Sequence, residues 1–222
     1  MGNICIIPAR GGSKRIPKKN IKFFFGKPII AYSIEAAVKS RLFDEITVST
    51  DDNEIAEIAE NLGAKILLRS KKNSDDFATL SDVIEEVKNA YKVKEKMFDA
   101  ICCILPTAPL VTDILLKKGY KSLIENDADS VRPVVRFSYP IQRALRLDAG
   151  KVSFINQKHA GTRSQDLEPA FFDSGMFYWM KFELGLKGTE RYAFEIGEMQ
   201  AQDIDTIEDW KIAESKYKLI NK

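Results

Sequence analysis

An apolar strand that runs directly into a cationic, glycine-containing loop constrains this chain more than any other stretch. Residues 4–7 form an apolar run of strand length, which Pro8 ends. Gly11 and Gly12 follow after two residues, and glycine lets a backbone turn sharply and bring its N–H groups close to a ligand. The junction therefore predicts a site for a polyanion, most simply a triphosphate. The cations of the loop are Arg10, Lys14, Arg15, Lys18 and Lys19.

Strand, loop and helix patterns alternate about four times along the chain. Strand patterns cover 43–50, 64–68, 98–105 and 129–136, and each is preceded or followed by an apolar stripe at helical spacing. This order predicts an α/β, Rossmann-like, doubly wound and mainly parallel sheet with ligands at the carboxyl ends of its strands. A chain of 222 residues fits one such domain, spanning 1–222.

The winding is interrupted between residues 137 and 170. Two short β-like pieces, 144–147 and 151–155, flank Asp148-Ala149-Gly150 and predict a hairpin. This β-rich excursion is interpreted either as a dimerisation arm that packs on a second subunit or as a flap over the site. An aromatic strand at 173–180 and a final helix containing Trp210 follow it.

Composition limits the classes of function. The formal net charge is only +2, so the basic loop is a local concentration, and a general nucleic-acid partner is disfavoured. No apolar run approaches the roughly 18 residues of a membrane span, which predicts a cytoplasmic protein with no membrane partner. Cys5, Cys102 and Cys103 lie in apolar runs without CxxC spacing and are expected to be buried thiols.

The loop matches neither common phosphate fingerprint. G-x-x-x-x-G-K-[ST] and G-x-G-x-x-G are both absent from it. The backbone N–H groups of Gly11, Gly12 and Ser13 would form the cradle, with cationic side chains neutralising the phosphate oxygens. The alternatives are a solvated basic turn and an RGG-like nucleic-acid tail.

Asp203 and Asp205 are spaced i, i+2, which places both carboxylates on one face of an extended segment. Such a pair suits Mg²⁺, which prefers oxygen ligands and substrate phosphates. The alternative for Asp205 is the N-cap of the last helix, a position that Thr206 can also take.

Several motifs in order, IIPARGGSKRIPKKNI, GKPIIAYSIEAA, FDEITVSTDDNEIAEIA, PTAPL and QDIDTIEDW, resemble the cytidylyltransferases that activate nonulosonic acids as CMP-sugars. The resemblance covers nearly the full chain. Arg15 and the stretch TRSQDLEPAF are most similar to the pseudaminic acid branch, since sialic acid enzymes usually carry a small residue at the Arg15 position. These enzymes belong to the wider group of sugar-nucleotide pyrophosphorylases.

The resemblance implies the substrates CTP and a nonulosonic acid, the cofactor Mg²⁺ and a homodimer. Asp76 can equally be a capping or loop carboxylate. Among these residues Arg10, Lys14 and Lys19 are expected to act in catalysis by stabilising phosphate charge. The implied nucleotide-binding residues are Ala9, Arg10, Gly11, Gly12, Ser13, Lys14, Lys19, Asn20, Arg69, Asp76 and Thr79.

For the sugar, the resemblance implies Thr107, Arg163, Gln165 and Tyr178. Arg163 is the candidate for the sugar carboxylate because a guanidinium fork matches that group, with Arg136, Arg143 and Arg146 as competitors. Core packing is the alternative role for Tyr178, and Leu105 stands where sialic acid enzymes commonly have Gln.

No general base is evident, and His159, the only histidine, is interpreted as a bystander. The sequence leaves open the same reaction on sialic, legionaminic or 3-deoxy-octulosonic acid. It also leaves open a non-catalytic nucleotide- or RNA-binding module.

Overall fold

The computed structural model describes residues 2–74 and 77–221, which contain twelve strands and five α-helices. The strands are β1 Asn3–Pro8, β2 Phe23–Phe24, β3 Lys27–Pro28, β4 Glu45–Thr50, β5 Lys65–Leu68, β6 Ala100–Ile104, β7 Ser130–Arg136, β8 Leu145–Asp148, β9 Lys151–Phe154, β10 Phe171–Asp173, β11 Phe177–Lys181 and β12 Arg191–Ile196. The helices are α1 Ile30–Ser40, α2 Asn53–Asn61, α3 Leu80–Val93, α4 Asp113–Glu125 and α5 Ile207–Ile220.

Eight strands form the central sheet, in the order β5-β4-β1-β6-β11-β7, with β12 and β10 also paired to β7. The β1, β4, β5 and β6 ladders are parallel, as is the β7–β12 ladder, whereas β10 and β11 run antiparallel to their neighbours. The predicted mainly parallel, doubly wound sheet is confirmed. The predicted strand 173–180 is wrong in its start, because a turn at 174–176 separates β10 from β11.

Helices cover both faces of the sheet. Side chains alternate along a strand, so in β1 Cys5 and Ile7 point to one face while Ile4 and Ile6 point to the other. The first face packs on α1, α2 and α4, and the second packs on α3. Each fully buried isoleucine contributes about 1.5 to 3 kcal/mol. The three cysteines are free and buried, as predicted, and burial raises the pKa of Cys103 to about 12.

A third apolar cluster joins the two ends of the chain. Trp210 and Ala213 of α5 pack against Ile16 and Phe24 from the N-terminal region, with Ile204 buried among them. The Phe24 and Trp210 rings meet edge to face, with their centroids 5.5 Å apart. This cluster fixes the segment before α5 opposite the loop after β1.

The predicted hairpin in the 137–170 excursion is present as the antiparallel pair β8–β9. The backbone N–H of Phe137 donates to the carbonyl oxygen of Ala170 at 3.0 Å and closes the base of the excursion. Within the described ranges no helix has both the length and the apolar character needed to span a membrane.

Candidate active site

A cleft of about 360 Å³ lies at the carboxyl ends of β1 and β6. These strands are neighbours in the sheet, with Ile6 opposite Cys103, so the loops that follow them meet at one edge. Polar and charged side chains from three separate parts of the sequence line the cleft. They are Arg10, Ser13, Lys14, Arg15, Lys19 and Asn20 from the first loop, Thr107 from the second, and Asp203 and Asp205 from the segment before α5.

The loop after β1 is held by its own backbone and by α2. Gly11 donates its N–H to Asp51 Oδ1 at 2.9 Å, and Ser13 donates its N–H to the carbonyl oxygen of Gly11 at 2.9 Å. A Cβ atom at Gly11 would lie 2.6 Å from Oδ2 of Asp52, the residue that caps α2. Close packing therefore requires glycine at position 11.

In this geometry the backbone N–H groups of the predicted phosphate cradle are only partly available. Two of the three donors, those of Gly11 and Ser13, already have protein acceptors, so a phosphate would have to replace these bonds. Gly12 is exposed. Ala9 is buried and donates its N–H to the Ser49 carbonyl at 2.9 Å, so its contribution is to the shape of the loop.

Asn20 has a positioning role in the same loop. Its side chain is buried, and the amide nitrogen donates to the carbonyl oxygen of Arg10 at 2.8 Å. The bond spans the ten residues between the two ends of the cationic stretch. The cations at Arg10, Lys14 and Lys19 are thereby gathered on one wall of the cleft.

Asp203 and Asp205 form the opposite wall. Thr206 takes the N-cap of α5, in a reciprocal capping box in which Thr206 N–H donates to Asp209 Oδ2 at 2.7 Å and Asp209 N–H donates to Thr206 Oγ1 at 3.2 Å. Of the two capping alternatives, Thr206 is therefore correct. The Asp205 carboxylate is left to face the loop cations.

Lys19 connects the two walls. Its Nζ donates to the Ile204 carbonyl at 2.6 Å and lies 3.5 Å from Asp205 Oδ1. Arg15 reaches the same carboxylate oxygen at 3.0 Å. The Lys19 side chain is 20% exposed and that of Arg15 is 66% exposed, so Lys19 makes the less screened contact.

The two carboxylates suit a hard cation whose coordination is completed by other oxygen ligands. Asp203 keeps some solvent exposure, but the surrounding protein desolvates it, and this burial, followed by the charge of Asp205, raises its pKa. Among the described residues no group of three or more His, Cys, Asp or Glu side chains is arranged to hold a metal. The protein would supply two ligands, and substrate phosphates and water the remainder, as is usual for Mg²⁺.

The predicted sugar residues are dispersed. Thr107 is 8% exposed and lines the cleft beside Leu105. Arg163 and Gln165 lie exposed on the excursion outside the cleft, and Arg163 forms a forked ion pair with Asp166 at 2.7 and 3.2 Å. The cleft of this chain therefore does not include the side chain predicted to hold the sugar carboxylate.

Tyr178 packs partly into the core on the α3 face of the sheet, as the alternative interpretation expected. Burial, and then the negative charge of Asp173, raise the pKa of its hydroxyl. The Arg132 guanidinium stands 5.1 Å from the Tyr178 ring centroid and 2.9 Å from Asp173 Oδ2. This cluster of three side chains was not predicted, because Asp173 lies 41 positions along the chain from Arg132 and Tyr178 lies farther still.

Arg69 and Thr79, two further predicted nucleotide-binding residues, do not line the cleft, although Arg69 lies near Arg10. Arg69 donates from Nε to Ser49 Oγ and from a terminal nitrogen to the Ser49 carbonyl, both at 3.0 Å. Burial lowers the pKa of this guanidinium, although the nearby Asp51 opposes that effect. Thr79 is the N-cap of α3 and forms a capping box with Asp82. Asp76 lies outside the described residues.

Comparisons with known proteins agree on one family. The family model described as "Cytidylyltransferase" matches residues 4–219. The chain is 41% identical to a pseudaminic acid cytidylyltransferase of Campylobacter jejuni, over 99% of this chain and 97% of that one. It is also 34% identical to N-acylneuraminate cytidylyltransferase A of Danio rerio, over 95% of this chain and 50% of that one.

A solved structure of CMP:2-keto-3-deoxy-manno-octonic acid synthetase complexed with CTP has the same fold, with a TM-score of 0.73 at 16% identity, covering 99% of this chain and 100% of that one. Enzymes of this kind commonly use a divalent metal. The fold, the cleft at the carboxyl ends of β1 and β6, and the family match over nearly the whole chain lead to one assignment. This protein belongs to the cytidylyltransferase family and is a nucleotidyltransferase.

Proposed function

We propose that this protein transfers CMP from CTP to the anomeric hydroxyl of pseudaminic acid, giving the CMP-sugar and pyrophosphate. The observation that carries the proposal is the cleft in which a cationic loop faces Asp203 and Asp205. The choice of sugar rests on the 41% identity to the Campylobacter jejuni enzyme and on Arg15 within the loop motif. The dispersed sugar residues of this chain do not by themselves distinguish one nonulosonic acid from another.

In the proposed reaction the anomeric oxygen bonds to the α-phosphorus while the bond from that phosphorus to the α,β-bridging oxygen breaks. Pyrophosphate leaves with the electron pair of the broken bond, and the hydroxyl proton passes to solvent. Arg10, Lys14 and Lys19 neutralise the charge that builds on the phosphate oxygens. Their placement on one wall of the cleft directs these charges at the same phosphates, and Lys19 would exchange its contacts with Ile204 and Asp205 for contacts with phosphate oxygens.

Mg²⁺ is the proposed metal, with Asp203 and Asp205 as its protein ligands. When bound, it would act as a Lewis acid on the phosphate oxygens. Asp205 pairs with Arg15 and Lys19, and these two cations hold its carboxylate in place. The double variant Asp203→Ala with Asp205→Ala is expected to abolish Mg²⁺-dependent turnover. A folded double variant with full turnover would refute this assignment.

The nucleotide base is proposed to lie beside Arg69 and Thr79, next to the cleft. The Arg69 guanidinium is fixed by its two bonds to Ser49 and is not free to rotate. A small pocket built from such fixed donors can reject purines by shape and by leaving polar groups unpaired. Turnover is therefore expected with CTP and not with ATP or GTP.

The decisive experiment measures pyrophosphate release from CTP with each of four acids: pseudaminic, sialic, legionaminic and 3-deoxy-octulosonic. The proposal predicts the highest kcat/KM with pseudaminic acid. A higher value with another acid would assign that acid and overturn the choice of sugar. CTP binding without turnover on any of the four, or salt-sensitive RNA binding, would indicate a non-catalytic binding module.

We further propose that the excursion at 137–170 mediates a homodimer. Leu147 and Val152 are opposite each other in the β8–β9 hairpin and are 73% and 60% exposed. Isolated two-stranded hairpins are marginally stable in water, so this hairpin requires a packing partner. Arg163 and Gln165 lie on the same excursion, where they would be available to a second subunit.

The assembly is tested by sedimentation of Leu147→Asp combined with Val152→Asp. A dimer in the wild type and a monomer in the double variant are expected at micromolar concentration. Val93→Asp is the control, because Val93 is 85% exposed at the end of α3, away from the excursion. A wild-type monomer would refute the dimer, and loss of the dimer in Val93→Asp would refute the assignment of the surface.

A further inference from the structure

The turn between β10 and β11 approaches the Asp203 carboxylate more closely than a side chain would comfortably allow. Gly175, at the centre of this turn, has a φ angle of +65°, in the left-handed region that favours glycine. A Cβ atom built there would lie 3.3 Å from both Cβ and Cγ of Asp203, and 3.5 Å from Oδ2. Backbone conformation and close approach therefore both favour glycine at this position.

The turn is anchored on both sides to the central sheet. Ser174 donates its N–H to the Pro133 carbonyl of β7 at 3.2 Å, and Leu105, after β6, donates its N–H to the Met176 carbonyl at 2.8 Å. The turn is thus bonded to strands on either side of it. It cannot shift away from Asp203 without breaking these bonds.

The side chains of Asp173 and Arg132 provide a second anchor for this turn. Asp173 accepts the Gly175 N–H through Oδ1 at 2.9 Å and pairs through Oδ2 with Arg132 Nη1 at 2.9 Å. Both carboxylate oxygens of Asp173 are occupied by these bonds. Arg132 lies on β7, so Asp173 links the Gly175 turn to a strand of the central sheet.

Asp203 itself lies in a segment that has no regular secondary structure. That segment is held at its ends, since Lys216 Nζ donates to the Ala201 carbonyl at 2.7 Å and Lys19 Nζ donates to the Ile204 carbonyl at 2.6 Å. These contacts fix backbone atoms, and the Asp203 carboxylate also accepts a hydrogen bond from the backbone N–H of Ile204. The Gly175 turn lies against the Cβ and Cγ atoms of the same side chain, and so limits where its carboxylate can point.

We infer that Gly175 is a positioning residue for the metal ligand Asp203, and that Arg132 supports it through Asp173. The inference rests on the proposed role of Asp203 as a ligand of Mg²⁺. Glycine allows the carboxyl group to sit directly against a rigid turn, which sets the direction of its oxygens toward the cleft. Substitution of groups that orient metal ligands typically lowers metal affinity by about 10- to 100-fold.

The test compares Gly175→Ala with Gly63→Ala. Gly63 has a φ angle of +87°, and a Cβ atom there would have no atom of the described residues within 4 Å beyond its chain neighbours. Gly63→Ala therefore introduces similar backbone strain but places no new atom against Asp203. The measurement is binding of Mn²⁺, as a spectroscopic substitute for Mg²⁺, to the full-length enzyme with CTP, followed by electron paramagnetic resonance. Thermal unfolding of each variant is recorded alongside.

Gly175→Ala is expected to weaken Mn²⁺ binding at least tenfold and to raise the half-saturating Mg²⁺ concentration equally, with the KM for CTP at saturating metal changed less than threefold. Gly63→Ala is expected to lower the melting temperature similarly and to bind Mn²⁺ as the wild type does. Equal Mn²⁺ affinity in Gly175→Ala and the wild type would overturn the inference.

Arg132→Met keeps the inference testable if Gly175→Ala does not fold, because it removes only the outer anchor. A three- to tenfold loss of Mn²⁺ affinity is expected, and an unchanged affinity would overturn the role of this anchor. Failure of the proposed function is recognised separately. In that case the wild type itself would not bind Mn²⁺, or the Asp203→Ala and Asp205→Ala double variant would bind it equally well.

Discussion

Replacing Lys19 by methionine removes a cation that belongs to one wall of the cleft and bonds to the other. The ammonium group donates to the Ile204 carbonyl at 2.6 Å and lies 3.5 Å from the Asp205 carboxylate. In the proposed reaction the ammonium would donate instead to a phosphate oxygen, and a hydrogen bond between charged groups contributes about 1.5 to 3 kcal/mol. Because about 1.4 kcal/mol corresponds to a factor of ten in rate, the expected loss in kcat/KM for CTP is about 10- to 150-fold.

The neighbouring lysine supplies a matched control. Lys18→Met removes the same charge from the same loop, but the Lys18 side chain is 66% exposed and pairs with Glu54, away from the cleft. Exposed ion pairs contribute at most about 1 kcal/mol. A change of less than about threefold in kcat/KM is therefore expected for Lys18→Met.

The assay is pyrophosphate release at several CTP concentrations and at two ionic strengths. Equal losses in the two variants would refute the assignment, since the loop would then act through its total charge and both effects would shrink together as salt screens it. Full activity in Lys19→Met would refute it directly. A loss confined to Lys19→Met that persists at high salt is the result that the bonded geometry predicts.

Two further predictions concern packing and pH. Gly11→Ala is expected to lower the melting temperature and to weaken CTP binding at least tenfold, because the new methyl group would collide with the Asp52 side chain that caps α2. Calorimetry measures the binding, and normal CTP affinity would contradict this prediction. Glu45 is buried, and although burial alone raises a carboxyl pKa, hydrogen bonds from Lys65 and Lys96 leave its pKa below the usual value. Its stabilising contribution is therefore complete above the unfolded pKa, about 4.3, and is lost as the pH falls through the lower folded pKa. Glu45→Gln is expected to lower the unfolding free energy by about 1 to 2 kcal/mol at pH 7, a modest loss because the two lysines are partly exposed. Denaturant titrations should show that the difference between wild type and variant shrinks below pH 4. An equal difference at both pH values would contradict this prediction.

Much of the fold could be predicted from the sequence because its signals are local. An apolar run closed by a proline, a cap such as Asp52 before a helix, and apolar stripes at helical spacing each report on their own neighbourhood. The cationic loop and PTAP could be assigned to one edge of the sheet, because parallel strands bring their carboxyl ends together. The start of the strand before Phe177 could not be placed in this way, since the turn at Gly175 is fixed by long-range contacts and leaves only a weak local signal.

The charged residues of the site could be predicted from the sequence, but their hydrogen-bond and ion-pair partners were harder to predict. Both Asp205 and Thr206 are able to cap α5, and the capping box that Thr206 forms with Asp209 decides between them. Arg163 was selected for the chemistry of its guanidinium, but Asp166, three residues later, occupies that fork within this chain. A local ion pair of this kind is visible in the sequence as an i, i+3 spacing, and it competes with any distant ligand.

The cationic loop and the aspartate pair are 185 positions apart where Lys19 meets Ile204, yet they form one unit in the structure. Each part alone has an unfavourable charge balance, since the loop gathers cations on one wall and the pair gathers carboxylates on the other. Pairing them through Lys19 and Arg15 reduces both repulsions. A triphosphate with its metal carries both signs of charge, so it can replace these contacts with equivalent ones, phosphate for carboxylate and metal for ammonium. Under the proposed function, the two walls would exchange these contacts for contacts with the phosphates and the metal.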